Sequence, residues 1–247
     1  MMAILGIDVG GTGIKGAPVD TDEGKLLADR FRVVTPQPAT VDDVIGCIAE
    51  VAKHFNWKGE IGCGFPTVVK KGTIYTAANI DPSWIGVNAK ELIEGQTQCR
   101  THLINDADAA GLAEMHFGAG KGNKGMVFLV TIGTGIGTAL FANGELVPNT
   151  ELGHVVIRGK EAESRASNRI RLEKSLTWKQ WSRRFNEYLV YMEKLLWPDL
   201  IIIGGGLSKS FSKFAPHLKV QAPVVPAEML NEAGIIGAAM AFSHPEI

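Results

Sequence analysis

The chain has 247 residues, 45% of them hydrophobic and 21% charged, with a formal net charge of −1. That is enough apolar material for one large domain or two small ones, and the near-neutral total gives no sign of a nucleic-acid partner, so any basic site must be local. Three cysteines, Cys47, Cys63 and Cys99, stand far apart with no C-x-x-C pair, a pattern of reduced thiols. The opening "MMAILGIDVGG" lacks a basic start and reads as a buried strand rather than a signal peptide. No apolar stretch is long enough to cross a membrane. A soluble cytoplasmic protein with neither a membrane nor a nucleic-acid partner is expected.

In chain order, "AILGIDV" is a β-branched strand that runs into Gly10-Gly11-Thr12-Gly13. The turn "TDEGK" and the segment "LLADRFRVV" then continue a meander of hairpins. "TVDDVIGCIAEVAKHF" (40–55) predicts a helix capped by Thr40, with Asp42 and Asp43 at its positive end and Val41, Ile45, Ile48, Ala52 and Phe55 on one face. "EIGCGFP" (60–66) is a strand leaving at Pro66, and "GTIYTAANID" carries a short strand ending near Asn79. Residues 102–120 form a strand that runs into a helix stopped by glycine. A second meander occupies 126–147. Residues 167–198 predict two helices broken near Ser175–Thr177. "DLIIIGGGLS" (199–208) is a buried strand entering a glycine turn, and "EAGIIGAAMAF" (232–242) is a final small-residue helix. The order implies two α/β halves with mixed sheets, hinged near residue 106: 1–105 with 233–247, and 106–232.

Gly11 to Gly16 satisfies G-x-G-x-x-G, but no helix follows Gly13 and Pro36 stands where a ribose-binding acid belongs, so a dinucleotide site is rejected. The Walker A spacing fails too. Gly-Thr-Gly-Ile occurs twice, at 11–14 and 133–136, each time in a hairpin. This favours a duplicated architecture over chance. Two such turns, with backbone N–H groups and threonine hydroxyls as donors, could clamp a polyphosphate.

Asn105-Asp106 ends a strand and opens a helix. The pair reads either as a plain N-cap or as an aspartate base beside an amide that orients a hydroxyl. Glu151 and His154, three apart in a glycine-containing turn, read either as a surface turn or as hydroxyl ligands of a polyol. Asn79 is a weaker ligand candidate.

"GIDVGGTGIKG", "NDADAA", "TIGTGIGTALFANGELVPNTELGH" and "IIIGGGLS" together resemble the ROK family of sugar kinases and sugar-binding repressors, and within it are most similar to the bacterial polyphosphate glucokinases. The resemblance implies an actin-like, ribonuclease-H-like two-domain α/β fold with mixed sheets and an interdomain cleft. It makes Asp106 the catalytic base for the sugar 6-hydroxyl and Asn79, Asn105, Glu151 and His154 sugar ligands. Gly10, Gly11, Thr12, Gly13 and Lys15, with Thr131, Gly133, Thr134, Gly135 and Gly205, become donor-phosphate residues. Asp8 is the acid that orients a hydrated Mg²⁺. The implied reaction is phosphoryl transfer from inorganic polyphosphate, with ATP as a further donor, to glucose, giving glucose 6-phosphate in a homodimer. The alternative is a strictly ATP-dependent hexokinase for glucose, mannose or an N-acetyl hexosamine.

The chain departs from the wider family in two places. No cysteine follows Cys99, so the family's zinc cluster beside the histidine is not expected, and the carboxylate that trails the cluster has no clear counterpart. Gly13 stands where the family usually carries lysine, with Lys15 two residues on. The glycine turn begins within the first ten residues, so a DNA-reading repressor is not expected, and a filament protein would have no need of the Asn–Asp and Glu–His pairs. From Arg158 to Arg184, Arg158, Lys160, Arg165, Arg169, Arg171, Lys174, Lys179, Arg183 and Arg184 form a local basic excess, expected to track the polyphosphate chain together with Lys121 and Lys124.

Overall fold

The computed structural model describes residues 3–78 and 80–242. The chain divides into two compact units, Met1–Ala113 with Glu232–Ile247, and Glu114–Asn231. This division falls inside a helix, whereas the sequence reading drew it at that helix's first residue.

In the first unit, β1 (Ala3–Gly10) turns back through Gly11 and Thr12 into β2 (Gly13–Asp20). The long β2 is paired along its length by two short strands, β3 (Lys25–Leu26) at its end and β4 (Phe31–Val33) at its start. After α1 (Val41–His54) come β5 (Ile61–Phe65), a small hairpin of β6 (Val69–Lys70) and β7 (Thr73–Ile74), α2 (Ala89–Thr97), β8 (Thr101–Asn105) and α3 (Asp106–Phe117). The short strand expected to end near Asn79 is Thr73–Ile74. The sheet order is β3-β2-β1-β5-β8, with β1, β5 and β8 parallel.

The two faces of this sheet follow from its pleat. Leu5, Ile7, Val9, Ile61, Cys63 and Phe65 point into a core with Val44, Ile48 and Val51 of α1. Thr40 caps α1, accepting from Asp43 N–H, as expected. On the opposite face Gly6 and Gly62 lie against the last helix, α7 (Ala233–Ala241). A Cβ on Gly6 would fall 2.0 Å from the Ile235 carbonyl oxygen, so only glycine admits the helix this closely.

The second unit repeats the plan. β9 (Val127–Ile132), β10 (Ile136–Ala142) and β11 (Glu145–Val147) form the meander. β12 (Val156–Ile157) and β13 (Lys160–Glu161) make a small hairpin, followed by α4 (Glu163–Ala166), α5 (Asn168–Glu173), α6 (Trp178–Leu196), β14 (Leu200–Gly204) and β15 (Val224–Pro226). The order β11-β10-β9-β14-β15 matches β3-β2-β1-β5-β8 strand for strand, with two antiparallel pairs followed by two parallel ones. α6 starts on a capping box of Thr177 and Gln180 and buries Trp181, Phe185, Tyr188, Leu189 and Met192 in a core with Phe128, Val130, Ile201 and Ile203. Among the described residues no helix is long and apolar enough to cross a membrane.

Candidate active site

Ligands of open α/β sheets gather at the carboxyl ends of the parallel strands. In the first unit these ends carry Gly10, Phe65 and Asn105. A cavity of about 280 Å³ opens there, lined by Gly10, Gly11, Thr35, Pro66 and Asp81 among others. Asn105 is buried and caps α3: its Oδ1 accepts from the N–H groups of Ala107 at 2.9 Å and Asp108 at 3.1 Å. Its Nδ2 donates to the Thr67 carbonyl at 3.0 Å, so both ends of the amide are engaged. Asp106, half-buried, is the first residue of α3. Gly64 of β5 pairs with Asp8 on one side, and a Cβ on it would lie 3.6 Å from Asp106 Cα, which sets the two aspartates on the strands that flank β5, one on β1 and the other just past the end of β8. Asn79 lies outside the described residues.

Each carbonyl at the tip of the first glycine hairpin has a side-chain donor. Thr35 Oγ1 donates to Gly10 O at 2.6 Å, Gln37 Nε2 to Gly11 O at 3.3 Å, and Arg32 Nη2 to Thr12 O at 2.5 Å. In a trans peptide the N–H opposes the C=O. Drawing these carbonyls toward residues 32–37 therefore turns the N–H groups of Gly11 and Thr12 the other way, the arrangement that binds anions. Asp8 faces Lys15 across β1 and β2, with 3.6 Å between carboxylate and ammonium. Burial pushes the Asp8 carboxyl above the usual carboxylate range, and Lys15 partly offsets the rise.

In the second unit the turn 133–135 is held from two sides. The N–H groups of Asn168 and Arg169 donate to Gly133 O, at 3.1 and 3.4 Å, and Leu207 N–H donates to Ile132 O at 3.3 Å. Gly205 has φ +72°, and a Cβ there would lie 2.6 Å from Ile132 N, so the turn after β14 sits directly on the glycine turn. Thr131 pairs with Gly204 across β9 and β14; Thr134 is exposed at the tip.

Glu151 and His154 flank a single helical turn whose Gly153 packs on the Ile136 carbonyl. His154 Nε2 lies 3.5 Å from Glu151 Oε2, and its Nδ1 lies 3.4 Å from Glu161 Oε2. Buried Glu163 accepts from Ile136 N–H at 3.1 Å. Burial raises the Glu151 carboxyl, His154 lowers it and Glu163 raises it again. The ligand atoms of His154, Glu161 and Glu163 all lie within 4.8 Å of one another. Carboxylates thus surround this histidine within its unit, and the three cysteines belong to the first unit.

Sequence reasoning missed Glu161 and Glu163. The available signal was Arg158-Gly159 between Val156-Ile157 and Lys160-Glu161. Both turn residues have positive φ, 53° and 73°, as a two-residue hairpin requires. The basic segment is also partly spent. Arg158 and Arg165 both pair with Glu187, at 2.5 Å each, and Arg171 lies 4.3 Å over the Trp178 ring. Lys160, Arg169, Lys174, Lys179 and Arg183 remain exposed. Arg158, Arg165 and Arg171 thus each have a partner within the unit.

Two α/β units of one strand order, each with a glycine turn between its first two strands, define the actin-like fold of the sugar kinases. Residues 4–169 match the model of the ROK family, and the chain belongs to that family. It is 50% identical over 238 residues to the polyphosphate glucokinase of Mycobacterium tuberculosis strain H37Rv, covering 96% of this chain and 90% of that one. Identity to the polyphosphate glucokinase of Mycobacterium leprae is 47%, over 96% of this chain and 74% of the relative. The crystal structure of the inorganic polyphosphate/ATP-glucomannokinase of Arthrobacter sp. strain KM superimposes with a TM-score of 0.96 at 43% identity, covering 99% of this chain and 100% of that one.

Proposed function

We propose that this chain transfers the terminal phosphoryl group of inorganic polyphosphate to the 6-hydroxyl of glucose, giving glucose 6-phosphate. The observation that carries the reading is the 50% identity to a polyphosphate glucokinase across 96% of the chain. A polyphosphate/ATP-glucomannokinase is structurally similar over the whole chain, which supports ATP as a second donor and mannose as a second acceptor.

Asp106 takes the proton of the 6-hydroxyl as the oxygen bonds to the terminal phosphorus. The bridging P–O bond breaks, and the polyphosphate leaves one unit shorter with the electron pair on its new terminal oxygen. A carboxylate at a helix N-terminus is a weak base, which suits a loose transition state that asks for the proton late. Asn105 fixes the backbone that carries Asp106 and is itself read as a sugar ligand. Glu151, His154 and, through the first unit, Asn79 bind sugar hydroxyls. Buried Glu163, whose charge acts on Glu151, is the further carboxylate of this reading. The turns 10–13 and 131–135 receive the donor phosphates, with Lys15 beside the first and Gly205 beside the second.

Asp8 offers one hard oxygen at a strand end, already balanced by Lys15 at 3.6 Å. A lone carboxylate fits a Mg²⁺ that keeps most of its waters. When bound, that ion neutralises charge on the transferring phosphate. The reading extends to a cytoplasmic protein that assembles as a homodimer, and light scattering on a sizing column tests the dimer. The activity itself is tested by glucose 6-phosphate formation with polyphosphate and ATP compared side by side.

A further inference from the structure

The register of the first sheet sets Asp8 opposite Lys15 and Lys15 opposite Arg32. Directly opposed residues of antiparallel strands share a face, so the three form one row across β1, β2 and β4. Lys15 spends its charge on Asp8 at 3.6 Å. Arg32 is exposed and forms no ion pair with any described carboxylate; its partner is the neutral carbonyl of Thr12, at 2.5 Å.

Its side chain runs over Gly13. A Cβ on Gly13 would lie 2.4 Å from Arg32 Nε and 2.7 Å from Cζ, so a side chain at 13 and the guanidinium in this pose exclude each other. The glycine is the bed of the arginine. A guanidinium has five N–H donors in a rigid fork, and one bond to Thr12 leaves most of them for another acceptor. They stand at the hairpin tip, beside the Thr12 carbonyl. A neutral sugar has no need of an unbalanced cation there, whereas phosphate accepts from such a fork through paired oxygens.

We propose that Arg32, laid over Gly13 from β4, is a donor-phosphate ligand of the first glycine hairpin. The proposal rests on the reading that this hairpin receives the donor phosphates.

The test compares wild type with Arg32→Gln, Arg32→Lys and Gly11→Val. A Cβ on Gly11 meets no protein atom within 4 Å, so a side chain there adds bulk at the hairpin tip without a clash. Steady-state kinetics with inorganic polyphosphate and glucose are measured at several salt concentrations, together with Tm. Arg32→Gln is expected to raise the polyphosphate KM about 10- to 100-fold, the range of a lost charge-assisted hydrogen bond. It should flatten the salt slope of donor binding by about one and leave glucose KM unchanged. Arg32→Lys keeps the charge but not the fork, and should recover the salt slope and only part of the donor KM. If Arg32→Gln leaves donor KM unaltered while Gly11→Val raises it, the hairpin reading stands and the arginine proposal falls. If neither changes donor KM, both fall. If donor and glucose KM rise together with a lowered Tm, or if Arg32→Gln does not fold and Arg32→Lys loses the salt slope, Arg32 is a structural tie to Thr12 and the proposal is overturned.

Discussion

Asn105 donates from Nδ2 to the carbonyl of Thr67, 3.0 Å away, and this bond ties the end of β8 to the loop that leaves β5. The same side chain caps α3 through Oδ1. Asn105 thereby fixes the backbone on which Asp106 stands.

Asp106→Asn should keep the fold, because Asn105 and its bonds are untouched, and lose about 10²–10⁴-fold or more in kcat. Circular dichroism and Tm establish folding, and a coupled assay reads kcat. Near wild-type turnover in the folded variant removes Asp106 from the mechanism.

His154 is fixed by Glu151 on one nitrogen and Glu161 on the other. His154→Ala should raise glucose KM and lower kcat through misplacement of the 6-hydroxyl, with donor KM nearly constant. A change confined to donor KM contradicts the assignment. Elemental analysis of the purified protein should find no stoichiometric zinc, since no thiolate follows Cys99 in the sequence.

The Asp8 carboxyl is raised in the folded protein by burial, so the fold favours its protonated form. The destabilisation from its charge is absent below the unfolded value and complete above the raised folded value. Asp8→Asn should thus be at least as stable as wild type at pH 7 while losing activity. Lys15→Met removes the group that lowers this carboxyl, and should move the acid limb of the kcat profile to higher pH. An unmoved limb means that Asp8 does not set it.

Arg165 is half-buried and bonded to both Glu187 and the Ile157 carbonyl. Arg165→Glu should lower stability by an amount on the order of 2 kcal/mol, seen as a fall in Tm. Exposed Arg169, whose N–H holds Gly133, is the cation of the segment next to the second glycine turn. Arg169→Glu should raise polyphosphate KM and spare glucose KM. Equal donor KM in Arg169→Glu and wild type removes this residue from the path of the chain.

Much of this architecture is legible in the sequence because it is written in local patterns. Strands such as "AILGIDV" and "LIIIG" are apolar and end at glycine, and Thr40 begins α1 where the acidic first turn says it should. α2 was missed because only Ala89 and Ile93 of it are buried, too thin a stripe to show as periodicity. Pairing across distance was not legible either. Charge counting finds Arg158 and Arg165 but not that both meet Glu187 on α6. It likewise cannot show that the three-residue β4 skips past β3 to pair with the start of β2, which is what carries Arg32 to Gly13. Glu163 was overlooked for the same reason, since its partner is a backbone N–H 27 residues earlier.

The most direct measurement is glucose 6-phosphate formation by the purified protein, with inorganic polyphosphate or ATP as the sole phosphoryl donor and Mg²⁺ present. Robust turnover with polyphosphate, shortening the polymer by one phosphate per glucose 6-phosphate formed, is the expected result. Full activity with ATP and none with polyphosphate would refute the donor assignment while leaving a sugar kinase. No glucose 6-phosphate with either donor would refute the proposed reaction itself.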